Sequence, residues 1–240
     1  MSINRDLKEA TVNRRLAAIK DLVKYAQKVG KCKWNLAEVG TEKVKSYRDT
    51  SGISPEVFKE MMATCDRTTL KGVRDYALLR LLWENALRRG EVSALDIKDL
   101  DVENKRLWIL GKGRGTQKEV IAVSVPVVKA LQEWLKVRQE SDVNQPMFIS
   151  VAHLTKGHRL SGTSIYRIVR DVAAQAGITK LMSPHRIRHS GITAALAATG
   201  GDVRRVQKLS RHSNLNTLMI YDDNRLNYQG EISEILSDLI

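Results

Sequence analysis

Apolar residues recur at Val12, Leu16, Ile19, Leu22, Val23 and Ala26, the spacing of one helical face, while Arg14, Arg15, Lys20, Lys24 and Lys28 lie on the other. Thr11 is the predicted N-cap and Gly30 the stop. A second short helix is predicted over Glu42 to Tyr47. Asp49-Thr50-Ser51-Gly52-Ile53 is a polar break, and Ser54-Pro55-Glu56 opens a new helix with an N-cap, a first-turn Pro and a first-turn acid. A largely apolar helix follows from Val73 to about Trp83. Leu107-Trp108-Ile109-Leu110 and Val120-Ile121-Ala122-Val123 are β-type runs around the Gly-rich stretch 111–115, which predicts a hairpin. Pro126 is expected to end the second strand, and Val127, Leu131, Trp134 and Leu135 mark another helix. Residues 161–240 carry mostly helical pattern. The fold class implied is α+β, mostly helical, with a small antiparallel sheet. The expected division is a partial helical domain over 1–49 and a second domain over 50–240, with a separate amphipathic helix over 226–240.

Composition narrows the class. Of 240 residues, 42% are apolar, enough for a sizeable core, which excludes a disordered chain. Forty Lys and Arg against 27 Asp and Glu leave a net charge of +13, which points to a polyanionic partner. Residues 1–50 hold 12 basic and six acidic side chains, and residues 155–212 hold 11 and two; after Tyr221 the sign reverses. Cys32 and Cys65 make neither a disulfide framework nor a zinc quartet, which fits a reducing compartment. No apolar run of membrane-spanning length and no apolar signal core occur, so the chain is expected to be cytoplasmic.

Three short stretches carry chemistry. Arg88, with Glu91 three residues on, sits where an apolar helix ends and another begins, and a guanidinium can grip two phosphate oxygens at once. His185 and Arg188 share a helical face. The His185–His189 spacing also suits a metal, but no Glu follows His185 and no nearby Cys or carboxylate completes a ligand set, so no metal or cofactor is expected. His212 precedes Tyr221 by nine residues. Alone, Glu91 reads as an ion-pair partner, His212 as a structural histidine and Tyr221 as a packing residue.

The ordered set resembles the tyrosine recombinase (phage-type integrase) family: Arg88 with Glu91, Lys112 in Gly111-Lys112-Gly113, His185 with Arg188, then His212 and Tyr221. The resemblance covers roughly residues 53–225, while residues 1–48 resemble the second half of the family's core-binding domain, a helical DNA clamp. It implies that Tyr221 is the nucleophile, that Arg88 and Arg188 neutralise charge on the phosphorane, that His185 and His212 donate to phosphate oxygens or manage a proton, and that Lys112 protonates the leaving 5′ oxygen. The product implied is a 3′-phosphotyrosyl link, conserved in energy, with no need of ATP or metal. Two departures are local: the family usually has Gly before the second His, where this chain has Arg211, and Gly200-Gly201 adds a residue in the turn before Asp202.

The resemblance also implies double-stranded DNA with specific recombination sites as partner, and a homo-oligomer, a tetramer, on it. The expected DNA-binding residues are Arg14, Arg15, Lys20, Lys24, Arg114, Arg186, Arg204, Arg205 and Arg211. Ile232, Ile235, Leu236 and Leu239 repeat at helical spacing in the acidic tail, which either caps its own domain or docks on a neighbouring protomer. Two other functions use similar residues: a type IB topoisomerase-like relaxing enzyme, and a non-catalytic DNA-binding protein reading DNA through Asp202–Lys208.

Overall fold

A computed structural model of the chain describes residues 7, 9–43, 52–111, 115–212, 214–223 and 228–239. It divides into two compact units, residues 1–49 and 50–240.

The first unit is built on helix α1 (Glu9–Lys28), which begins two residues before the predicted cap, so Thr11 lies inside it. The acid at Glu9 favours the helix N-terminus by itself. Gly30 takes φ 71° and reverses the chain, as a residue without Cβ can. The following segment returns along α1: the Asn13 side-chain amide donates to Glu42 O and accepts from Glu42 N, and Gln27 Nε2 donates to Trp34 O. Val23 is the buried residue of this helix, while Leu22 and Tyr25 remain largely exposed. Most of the helix predicted at 42–47 lies outside the described residues.

In the second unit the helix starts follow their caps. Ser54 accepts from Val57 N at the head of α2 (Pro55–Ala63), and Thr69 accepts from Gly72 N at the head of α3 (Leu70–Glu84). Each such cap contributes about 1 kcal/mol. Helix α4 (Arg89–Ala94) leads into a three-stranded antiparallel sheet of β1 (Leu100–Asp101), β2 (Arg106–Leu110) and β3 (Lys118–Ala122), in the order β1-β2-β3. Leu107 pairs with Ile121 and Ile109 with Glu119, so Leu107 and Ile109 point together into the core. The short strand β1, paired through Leu100 to Leu107, carries too few residues to show a period. The second long strand ends at Ala122, not at Pro126. Pro126 lies in the first turn of α5 (Val125–Arg138), where Ser124 is the cap and a missing N–H costs nothing.

Helices α6 (Gly162–Gln175), α7 (Pro184–Ala198), α8 (Val203–Ser210), α9 (Asn216–Asp223) and α10 (Tyr228–Ser237) complete the described elements. Two apolar clusters form. The larger one draws on α2 to α7 and β2; the smaller consists of Ala86, Ile192, Leu196, Val206, Leu218 and Tyr221. Helix α7 serves both, with Ile187 in the first and Ile192 and Leu196 in the second. It lies close against α3: a Cβ on Gly191 would stand 2.5 Å from Trp83 O. That close approach sets where the side chains at the front of α7 emerge.

Candidate active site

The site grows from the turn that ends α3. Asn85 closes the helix, and Ala86 adopts φ 46°, the left-handed region that L side chains disfavour. Arg88 then caps α4, its backbone N–H donating to Glu91 Oε2 at 2.8 Å and its Nη1 to Glu91 Oε1 at 2.7 Å. Glu91 is 2% exposed and also accepts from Arg211 Nη2 at 2.9 Å. Burial works against its ionisation. The Arg211 charge, the Arg88 N–H and the Arg88 guanidinium outweigh it, so the carboxyl is held below the usual carboxylate value.

Arg188 lies one turn into α7 and is 1% exposed. Its Nη1 donates to Ala86 O and its Nη2 to Ser210 O, so one guanidinium joins the turn after α3 to the end of α8. Burial first, then the Arg88 and Arg211 charges, push its pKa down to about 10, with Glu91 and Tyr221 acting in the opposite sense. It is still a cation at neutral pH.

His212 follows Arg211, which ends α8 in a left-handed conformation of φ 55°. Gln207 Nε2 donates to His212 O and holds the turn. Burial, then the charges of Arg188, Arg88, His185 and Arg211, push the imidazole down to about 4, so the ring is neutral at pH 7. Its Nε2 lies 3.5 Å from Arg188 Nη2, and its Nδ1 is buried with no partner among the described residues.

Tyr221 projects from α9 and is 3% exposed, one of the six buried residues of the smaller cluster. Its ring stands 6.1 Å from that of His212 and 4.8 Å, edge-on, from that of His189. His189 in turn lies 3.9 Å from His185, also edge-on. The family motif assigns His189 no role; its contact with His185 follows from their spacing of four on α7, and its contact with Tyr221 from the packing of α7 against α9.

The structure therefore gathers Arg88, Glu91, His185, Arg188, His212 and Tyr221 around one locus, together with His189. Lys112 and Arg114 lie outside the described residues. Of the other cations, Arg14, Arg15 and Lys24 are exposed on α1, and Lys20 donates to Val39 O. Arg204 and Arg205 are exposed on α8, and Arg186 is half-buried at the head of α7. Arg211 differs from its expected DNA-facing place: its side chain is 11% exposed and turned inward to Glu91, because the left-handed turn aims it back across the site. Among the described residues no group of three His, Cys, Asp or Glu is arranged to hold a metal ion, and no helix is long and apolar enough to cross a membrane.

The chain has relatives of known family. The sequence profile of the phage integrase family matches residues 52–227. The chain is 52% identical over 236 residues to the tyrosine recombinase slr0733 of Synechocystis sp., covering 98% of this chain and 75% of that protein. It is 32% identical to the tyrosine recombinase XerC of Corynebacterium glutamicum, covering 92% and 70%. Among solved structures, the XerH site-specific recombinase bound to palindromic difH substrate superposes with a TM-score of 0.75 at 22% identity, over 96% of this chain and 68% of that one.

Proposed function

The chain belongs to the phage integrase family of tyrosine recombinases, and from that premise we propose that it is a site-specific DNA recombinase that cuts and rejoins strands through a 3′-phosphotyrosyl intermediate. The observation that carries the reading is the convergence of Tyr221 with Arg88, Arg188 and His212 around one locus.

The Tyr221 oxygen attacks the scissile phosphorus, an O–P bond forms to the 3′ side, and the bond to the 5′ oxygen breaks. A phenol is a weak nucleophile near neutrality, with an ordinary pKa of about 10, so a cationic surrounding is needed to favour the phenolate. Arg88 and Arg188 supply it and meet the charge that builds on the non-bridging oxygens. A preorganised donor of this kind is worth about 3–4 kcal/mol of transition-state stabilisation. His212 is neutral, so it contributes an N–H donor rather than a charge. Lys112 is proposed to give the leaving 5′ oxygen its proton, and His185 to share in proton management. Resealing is the reverse, with a 5′-hydroxyl from a partner strand attacking the phosphotyrosine.

Double-stranded DNA is the proposed partner. XerH was solved on its difH substrate, and the Tn1549 integrase in complex with transposon right end DNA. The exposed cations of α1 and of α8 suit a phosphate backbone, and residues 1–49 suit a clamp on it. On DNA the protein is proposed to act as a homo-oligomer, a tetramer, with α10 docking on a neighbour. Ile232, Ile235, Leu236 and Leu239 are each 55–75% exposed, an apolar stripe left to solvent. Removing residues 229–240 is expected to abolish cooperative assembly on DNA; undiminished assembly rejects the docking.

The decisive experiment offers the protein a pool of nicked duplexes randomised around the nick, from which a cut strand end diffuses away. A denaturation-resistant protein–DNA adduct is expected, and Tyr221→Phe is expected to lose it. An adduct that survives in Tyr221→Phe moves the nucleophile elsewhere. Relaxation of supercoiled plasmid with no strand exchange between duplexes moves the reading to a type IB topoisomerase-like enzyme.

A further inference from the structure

Arg211 is neither a member of the catalytic set nor an outward cation. Its Nη1 donates to Asn85 O at 3.2 Å and Leu209 O at 2.8 Å, and its Nη2 to Glu91 Oε2 at 2.9 Å and Ala86 O at 3.4 Å. Its Nε lies 3.6 Å from Glu119 Oε1 on β3. Its own carbonyl accepts from Arg88 Nη2 at 3.4 Å. One residue thus touches the turn after α3, the end of α8, the hairpin stem and the carboxylate that holds Arg88.

We propose that Arg211 is a positioning residue: a guanidinium clamp that fixes the turn presenting His212 and neutralises Glu91, leaving the charge of Arg88 free for the scissile phosphate. The proposal rests on the recombinase reading above.

Two arguments support it. The first is electrostatic. Glu91 is buried and ionised, and its oxygens are shared between Arg88 and Arg211. If Arg88 were its sole partner, the pair would be near neutral, and Arg88 would be held to the carboxylate as much as to an incoming phosphate. With Arg211 on the same carboxylate, the group of Arg88, Arg188, Arg211 and Glu91 keeps a surplus of positive charge where the phosphorane forms. The second is conformational. A left-handed φ of 55° is disfavoured for a long side chain, and the bonds from that side chain to carbonyls 85, 86 and 209 hold the turn in it. His212 is the next residue.

The left-handed backbone makes the test clean, because Arg211→Gly keeps a conformation that glycine adopts freely and removes only the clamp. Full-length protein, Arg211→Gly and Arg211→Lys are compared on one nicked duplex recovered from the covalent selection. Single-turnover cleavage at saturating protein and DNA affinity at fixed salt are measured. A second duplex carries a neutral methylphosphonate at the scissile position. Arg211→Gly is expected to cleave roughly 10–100-fold more slowly, the usual cost of losing a residue that orients a reacting group. Its affinity is expected to change by less than about twofold, since no phosphate contact is lost. The deficit is expected to shrink on the methylphosphonate, which carries less charge for Arg88 to meet, and Arg211→Lys is expected to recover part of the rate. Wild-type cleavage by Arg211→Gly overturns the clamp. A rate loss that follows a loss of affinity with a weaker salt dependence overturns it in favour of a direct DNA contact. An equal deficit on both duplexes overturns it in favour of a purely structural role. Absence of an adduct from the unmutated protein removes the recombinase reading itself, a result distinct from all of these.

Discussion

The second unit holds its stability and its chemistry in different places. The larger apolar cluster contains 32 buried residues among those described, including Leu131, Trp134, Leu107 and Ile165, and Tyr221 is not among them. Among the described residues the smaller cluster contains six, and Tyr221 is one of them. Arg88 and Glu91 stand on α4, whose Val92 belongs to the larger cluster; His212 and Tyr221 hang from α8 and α9, which belong to the smaller. Arg188 joins the two sides through its bonds to Ala86 O and Ser210 O. Bulk burial sets the global unfolding free energy, whereas a six-residue cluster is the kind of element that opens locally at lower cost. Arg88 and Glu91 are thus set on the firm side, and Tyr221, the proposed nucleophile, on the soft side.

Truncating one leucine in each cluster tests that division and carries the largest expected effect. Leu131 on α5 and Leu196 on α7 are both fully buried. Leu131→Ala is expected to lower the unfolding free energy by about 3–5 kcal/mol, because a densely packed core cannot collapse around the void. The cleavage rate of the folded fraction is expected to stay within about twofold, since a void in that core leaves the reacting groups in place. Leu196→Ala is expected to cost less, about 2–3 kcal/mol, since a small cluster relaxes more readily. Its cleavage rate is expected to fall by roughly tenfold or more, because a displacement of under an ångström at Tyr221 spoils in-line attack. Urea denaturation and single-turnover cleavage read the two quantities separately. Equal rate losses in both variants would break the division, showing the clusters to be one mechanical unit.

A pH difference follows from His212 and is smaller. Its pKa is about 4 in the folded protein against an ordinary 6.5, so between those values the unfolded chain binds a proton that the folded site refuses. A depressed histidine pKa therefore makes stability fall as the pH drops from about 6.5 to about 4, with no further loss from this group below that. His212→Gln removes the titration. Urea denaturation of both proteins at pH 7, 5.5 and 4.5 is expected to show a shallower decline in the variant. Parallel declines would show that the acid sensitivity lies elsewhere, in which case the smaller cluster is no more pH-sensitive than the larger one.

How much of this is legible in the sequence follows the range of the interactions involved. The start of α2 at Ser54-Pro55 and the hairpin strands are encoded in a few neighbouring residues, and the structure holds them there, with β3 starting two residues before its β-type run and ending one residue before the end of it. Local signals also mislead where two meanings compete. Pro126 reads as a strand terminator but serves the first turn of α5, and Thr11 reads as a cap but is overtaken by Glu9. The spaced set of Arg88, His185, Arg188, His212 and Tyr221 is visible as an order of residue types, and the structure brings it together. The inward turn of Arg211 is not visible, because it depends on a carboxylate 120 positions away and on a left-handed backbone that nothing in its neighbours announces. His189 is legible only in part: its spacing of four from His185 stands in the sequence and gives their ring contact on α7, whereas its contact with Tyr221 depends on α9.

The smallest expected effect lies at the seam between the clusters. Ala86 belongs to the smaller cluster by its methyl group and to the turn after α3 by its backbone, and its φ of 46° turns its carbonyl toward Arg188 and Arg211. Ala86→Gly changes three terms at once. It relieves the left-handed strain, worth about 1–2 kcal/mol in favour of glycine. It removes one buried methyl, worth about 0.8 kcal/mol against. It loosens the unfolded chain, worth about 0.4–1 kcal/mol against. The terms nearly cancel, so the expected change in unfolding free energy is less than about 1 kcal/mol. That balance explains how a strained alanine persists where glycine would be easier: the methyl seals the smaller cluster while the backbone serves the larger side. A gain well above about 1 kcal/mol would mean the methyl contributes little packing and the seam is open, sharpening the separation of the clusters. A loss of that size would mean the methyl is the principal contact across the seam, so that the Tyr221 cluster is held to the rest of the unit by packing as firmly as by Arg188.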